Sequence, residues 1–290
     1  MIIDFIKVLI LSIVEGVTEF LPVSSTGHLI LVNQFVKLEP ESFSNAFNVI
    51  IQLGAILSVV VLYFERLNPW TKSKIRLPRN YDDLNDRSKA YFILTHPDKD
   101  TIKLWFKVIV GVLPAMVLGL LFDDLIDEYL FNPMTVAAML FIWGLIIIFV
   151  EKRNKNIKYE KISDVPYITI IMIGFFQCLA MIPGTSRSAA TIMGAMILGL
   201  SRSAAAEFSF FLAIPTMLGA TLLKLVKNFG GFSSYEWTLI LIGMVLSFIV
   251  AFIVIKKFLS YVKKHDFIPF GIYRIILAVV VFAYFLIVNK

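Results

Sequence analysis

The chain has 290 residues, 58% of them hydrophobic, and a mean hydropathy of +0.82, well above the roughly 45 to 50% apolar content of an ordinary soluble domain. That composition excludes a soluble globular protein. The net charge of +6 lies in segments between apolar runs, where it reports orientation rather than nucleic acid. The single cysteine, Cys178, excludes an intrachain disulfide and a metal site built on several cysteines, and reads as a small core side chain.

The opening MIIDFIKVLILSIVEG has neither a strongly basic leader nor a small-residue cleavage site, and is read as part of the mature chain. The apolar stretch 2–36 is too long for one helix and is broken by LPVSSTGH. The stretch 165–200 is broken in the same way by IPGTSRS. Proline followed by small hydroxyl residues is the chemistry of a turn and a new helix N-terminus. Both stretches are therefore predicted as re-entrant helical hairpins, about 18 residues inward and somewhat fewer back. An ordinary pair of spans, or one long tilted span, is the competing reading of 2–36.

Full spans are predicted at 47–64, 104–122, 133–150, 207–223, 237–255 and 269–288. Helix is the default for each because lipid leaves exposed backbone groups unsatisfied. Residues 65–103 hold nine Lys/Arg against six Asp/Glu, and 151–164 hold five against three. Asp123, Asp124, Asp127 and Glu128 lie in a segment, 123–132, with no Lys or Arg. The positive-inside rule puts the first two loops in the cytoplasm and the third outside. Lys256, Lys257, Lys263 and Lys264 put the last connection inside, with both termini outside.

A shift of 161 carries Pro22 to Pro183, Ser25 to Ser186, Ser42 to Ser203, Phe47 to Phe208 and Leu57 to Leu218 without a gap. Three predicted spans separate the two hairpins, so the second copy enters from the opposite side. The expected fold is an all-α polytopic membrane protein, with six transmembrane helices and two re-entrant helical hairpins in an inverted-topology repeat. It forms one integral membrane domain over 1–290. The repeats cover about 2–64 and 165–225 in opposite orientations, and 65–103 is a cytoplasmic loop.

Ionisable groups inside a membrane are functional candidates. Glu15 and Glu19, spaced i and i+4, share one helix face. Two buried carboxylates so close need a cation, an arginine or a shared proton. They either hold a divalent cation, act in proton transfer, or lie near the membrane surface. Ser24, Ser25, Thr26, Gly27 and His28 follow Pro22. The hydroxyls either cap a helix or, with its free N–H groups, bind phosphate, while a neighbouring Ser and His can supply nucleophile and base. The second break brings Thr185, Ser186 and Arg187. Arg187 offers a planar donor fork for phosphate, or an ion pair with Glu15 or Glu19. Gln177, Thr191, Arg202 and Glu207 are supporting candidates. Carboxylates, hydroxyls, His and Arg converging on one place fit phosphoryl transfer better than hydride or acyl chemistry. No Walker-type sequence is present, which disfavours nucleotide hydrolysis.

EGVTEFLPVSSTGHL at 15–29 and PGTSRSAAT at 183–191 resemble the two motifs of the undecaprenyl-diphosphate phosphatase family, also called bacitracin resistance proteins. AFNVIIQLGAI at 46–56 and EFSFFLAIP at 207–215 are similar to the segments that follow those motifs. The resemblance covers nearly the whole chain, and 71–100 departs from it as a longer polar loop. It implies a multi-pass bacterial plasma-membrane hydrolase that converts undecaprenyl diphosphate to undecaprenyl phosphate. Such an enzyme recycles the lipid carrier for peptidoglycan and confers bacitracin resistance.

The resemblance further implies a pocket reached from the extracytoplasmic side and a divalent cation requirement, Mg2+ or Ca2+, with Glu15 and Glu19 as the expected metal residues. The implicated positions are Glu15, Glu19, Ser24, Ser25, His28, Ser186 and Arg187. Ser25 is the expected nucleophile with His28 as its base; attack by His28 itself or by water remains open. The partners expected are the polyprenyl diphosphate lipid, membrane lipid and a second copy in a homodimer, with no nucleic acid. A transporter or flippase of the carrier phosphate is the rival that inverted repeats suggest. A lipid phosphatase of the acid-phosphatase type would need His at 193 and Asp at 197, where the chain has Met193 and Ile197.

Overall fold

The computed structural model describes residues 2–288 apart from 76, 79, 80, 83, 84, 131, 154, 155 and 228–230. Of the charged residues weighed above, Arg76, Arg79, Asp83 and Lys155 fall outside it, as do the side chains of Asp123, Asp124, Asp127 and Glu128. The described chain is all-helical. In order the helices are α1 (Ile2–Thr18), α2 (Ser25–Val32), α3 (Glu41–Leu62), α4 (Phe64–Leu67), α5 (Asp86–Thr95) and α6 (Lys99–Leu130). There follow α7 (Pro133–Lys152), α8 (Tyr167–Cys178), α9 (Arg187–Ile197), α10 (Arg202–Lys227), α11 (Ser234–Val262) and α12 (Ile268–Val288).

Six of these, α3, α6, α7, α10, α11 and α12, are long and apolar enough to cross a membrane. They contain five of the six predicted spans, and the remaining one, 47–64, runs two residues past the end of α3. The two broken stretches are helix pairs, α1 with α2 and α8 with α9, and each break falls at the proline and hydroxyl run. The arms are 17 and 8 residues in the first pair and 12 and 11 in the second, so the second inward arm is shorter than expected. The loop 65–103 carries helix as well, in α4 and α5.

The most enclosed of the six long helices are α3 and α10, which pack on each other. Helix α11 lies against α3 and α1, while α6 lies against α10 and α8. Helix α12 packs along α7, and small residues make the close approach possible. A Cβ added to Gly144 would stand 2.9 Å from the Gly271 carbonyl oxygen, and one added to Gly271 would stand 2.8 Å from that of Gly144. Between apolar helices in lipid, such backbone contact replaces the missing hydrophobic drive. It also fixes the face of α12 turned toward the two breaks.

Helix starts follow local chemistry. Asn132 accepts from the Thr135 N–H ahead of Pro133, at the first position of α7, where proline loses no bond. Ser233 and Glu236 form a reciprocal capping box on α11, satisfying N–H groups that would otherwise be orphaned.

Candidate active site at the two turns

Each break is a tight turn ending in a serine cap. In the first, the Val23 N–H donates to the Leu21 carbonyl at 2.7 Å, and Ser24 Oγ accepts from the Gly27 N–H at 3.2 Å to begin α2. In the second, the Thr185 N–H donates to the Ile182 carbonyl at 3.2 Å, and Ser186 Oγ accepts from the Ala189 N–H at 3.3 Å to begin α9. Both caps have a φ of 73°. Among the described residues they are the only non-glycine positions with positive φ. A side chain in that region costs about 1–3 kcal/mol and persists only where the surroundings enforce it.

The caps stand 162 positions apart, one more than the gapless pairing of the sequence. The second turn has an extra residue between proline and cap, and its Gly184 has a φ of +91°. Matched by role, Ser24 pairs with Ser186, and Ser25 with Arg187.

Glu19 joins the two turns. The Ser25 hydroxyl donates to its Oε2 at 2.7 Å, and Arg187 Nη2 donates to its Oε1 at 3.3 Å. Both partners of the ion pair are nearly enclosed, with side chains 11% and 8% exposed. Arg187 Nη1 donates to the Ser209 carbonyl at 2.9 Å, and its guanidinium lies 6.0 Å from the centre of the Phe20 ring, a cation–π distance. The Ser188 hydroxyl donates to the Leu21 carbonyl at 2.9 Å and stitches one turn to the other. Glu15 is fully buried one helical turn before Glu19, and neither of its carboxylate oxygens has a hydrogen-bond partner in the described structure. The Thr185 hydroxyl and Arg187 Nε are buried and unpartnered too. Thr26 sits beside Ser25 in the first turn of α2.

His28 departs from its expected place as the base for Ser25. Its Nδ1 lies 2.7 Å from the Ser24 carbonyl oxygen, which can only accept, so Nδ1 carries the proton. Its Nε2 then accepts from the Tyr273 hydroxyl at 2.6 Å, with the two rings stacked 5.6 Å apart. The physical reason is reach: the imidazole folds back one helical turn onto its own cap, while the Ser25 hydroxyl donates its hydrogen bond to Glu19.

The supporting candidates divide. The Thr191 hydroxyl donates to the Arg187 carbonyl at 2.8 Å and lies 2.6 Å from the Ser209 hydroxyl, so it braces the arginine. Gln177 donates to the Thr216 hydroxyl at 3.4 Å. Glu207 turns to Arg66 and Arg202 to Glu151, and the structure brings neither of the two to Glu19, Ser25 or Arg187. The sequence reading missed three residues: Ser209, Tyr273 and Arg274. Arg274 is the lone charge in the apolar run 268–288, a signal that was available. Ser209 and Tyr273 have no comparable mark.

Six helices of membrane length, with a buried polar cluster among them, define a multi-pass membrane protein. Residues 8–280 match the family described as Bacitracin resistance protein BacA, and the chain belongs to that family. It is 50% identical over 285 residues to undecaprenyl-diphosphatase 1 of Clostridioides difficile strain 630, covering 98% of this chain and 97% of that protein. It is 52% identical over 281 residues to the undecaprenyl-diphosphatase of Fusobacterium nucleatum, covering 94% and 98%. The enzyme of the same name from Enterococcus faecalis is 47% identical over 282 residues, covering 96% of each chain.

Proposed function

We propose that this chain is an undecaprenyl-diphosphatase, hydrolysing undecaprenyl diphosphate to undecaprenyl phosphate and inorganic phosphate. The observation that carries the mechanism is Glu19 accepting from Ser25 at 2.7 Å while paired to Arg187. A hydroxyl already bonded to a carboxylate is poised to lose its proton. The guanidinium and the N-termini of α2 and α9 supply the donors that a diphosphate needs.

In this reading Ser25 Oγ attacks the terminal phosphorus and its proton passes to Glu19. The bond from that phosphorus to the bridging oxygen breaks, Glu19 gives the proton to that oxygen, and undecaprenyl phosphate leaves with Glu19 again a carboxylate. Water then attacks the phosphoserine, Glu19 takes one of its protons, and inorganic phosphate departs as Ser25 regains its hydrogen. Arg187 holds the equatorial oxygens, where charge is spread in the transition state. His28, tied to Ser24 and Tyr273, shapes the start of α2.

The chain also fits a divalent cation, Mg2+ or Ca2+. Glu15 presents two buried carboxylate oxygens without partners, beside the Glu19 carboxylate. No group of three or more His, Cys, Asp and Glu gathers among the described residues. Two carboxylates with phosphate and water oxygens is a donor set that Mg2+ commonly uses. When bound, the cation supplies positive charge against the phosphate oxygens.

The architecture we propose is one domain with an inverted repeat and two re-entrant hairpins. Helix packing supports it: α1 lies on α11 as α8 lies on α6, and α3 lies on α11 as α10 lies on α6. In this reading the site opens to the extracytoplasmic side of a bacterial plasma membrane, as the family resemblance implies. There hydrolysis returns the carrier to peptidoglycan synthesis and confers bacitracin resistance.

The test is phosphate release from a long-chain polyprenyl diphosphate by the purified chain, with no second membrane component. Release by wild type, falling roughly 10³-fold in Ser25→Ala, is expected. No release by wild type would overturn the enzyme in favour of a carrier transporter. Full activity in Ser25→Ala would move the attack to His28 or water.

A further inference from the structure

Arg274 is fully buried on α12, and no carboxylate lies within ion-pair distance of it among the described residues. Its donors go to backbone carbonyls instead. Nη2 donates to Gly184 at 2.7 Å and Thr185 at 3.0 Å in the second turn, and Nη1 donates to Pro22 at 3.3 Å in the first. Longer contacts reach Met139 at 3.4 Å and Leu140 at 3.5 Å on α7. A buried, unpaired cation is expensive. One that spends its fork on three turn carbonyls holds those carbonyls to one side.

We propose that Arg274 is a positioning residue for hydrolysis, clamping the two serine-capped turns together by their carbonyls so that their opposite faces form one phosphate site. Two observations converge on this. The clamped residues stand immediately before or within two positions of Ser24 and Ser186, the two strained caps with φ of 73°, and such strain needs enforcement from outside. The Thr185–Ser186 peptide is planar and trans, so a carbonyl held by Arg274 turns the Ser186 N–H the other way. Ser188 stitches the same region through Leu21, but from the start of α9, directly after the second turn. Arg274 grips both from a third helix, itself locked to α7 at Gly144 and Gly271.

This rests on the phosphatase reading above, and wild-type phosphate release tests that reading separately. The experiment compares Arg274→Lys and Arg274→Gln with wild type, each purified as folded monodisperse protein, by kcat and KM for a long-chain polyprenyl diphosphate. Lysine keeps the charge but replaces the planar fork with a single ammonium that cannot span both turns. Arg274 acts on the turn carbonyls, so its loss is expected to shift the turns that align the reacting phosphate more than it weakens substrate binding. Both variants should therefore lose kcat per folded molecule on the order of 100-fold, the scale expected for a misplacement near 1 Å, with KM changed far less. Wild-type kcat in folded Arg274→Lys, or a drop confined to KM, overturns the proposal. Failure of both variants to yield any folded protein also overturns it, leaving Arg274 a structural staple.

Discussion

The two turns are alike in backbone and unlike in what they present. Each ends in a serine cap with the same unusual φ and opens a short helix. After the cap the first turn offers Ser25, with Glu19 just ahead of it, while the second offers Arg187. The two caps share a costly geometry, while the side chains around them differ: the first turn carries a carboxylate and a hydroxyl, the second a guanidinium. Glu19 belongs to the first turn yet touches both. Glu19→Gln is the sharpest way to break the pairing, since an amide accepts a bond but takes no proton at neutral pH. Turnover should fall roughly 10³-fold, measured as phosphate release. A variant within a few-fold of wild type would mean that the contact between the turns is structural alone.

Arg187→Lys probes the other side with a smaller expected loss. The native fork reaches Glu19 with one nitrogen and Ser209 with the other. A lysine keeps the charge and can meet only one of these at its proper length. A fall in kcat of roughly 100-fold is expected, and near-normal kcat would remove Arg187 from phosphate alignment.

The breaks and the six spans were legible because proline with hydroxyls interrupts an apolar run, and an apolar run of membrane length has few alternatives. Contacts across the turns were not. His28 lies three positions after Ser25 and Glu19 six before, so spacing along the chain favoured the imidazole as base. The chain reverses over residues 19–24, which brings the end of α1 beside the start of α2 and lets the Ser25 hydroxyl donate to Glu19. The ungapped repeat concealed the extra residue of the second turn, because a proline and a serine matched by number although their backbone roles are offset by one. Arg274 announced itself as a charge in an apolar helix, but its partners are carbonyls, which no side-chain pattern reveals. Helices α4 and α5 lay hidden in a polar loop for the same reason that the loop was recognised: composition marks water, not conformation.

The extra residue leads to the smallest expected effect. Gly184, at φ +91°, has a missing Cβ that would stand 2.6 Å from the Val136 carbonyl oxygen, and its own carbonyl accepts from Arg274. The first turn has no counterpart, since Val23 reaches its cap without positive φ. Gly184→Ala meets two penalties, left-handed backbone strain and a contact with α7 backbone that no rotamer relieves. Together they should cost about 2 kcal/mol, read as a lower melting temperature of the purified protein, and the shifted turn should also lose phosphate-release activity. Wild-type stability and activity in this variant would show that the second turn closes without its glycine. The two breaks would then be equivalent in backbone demand, and the added residue would be a neutral insertion rather than the means by which Arg187 reaches Glu19.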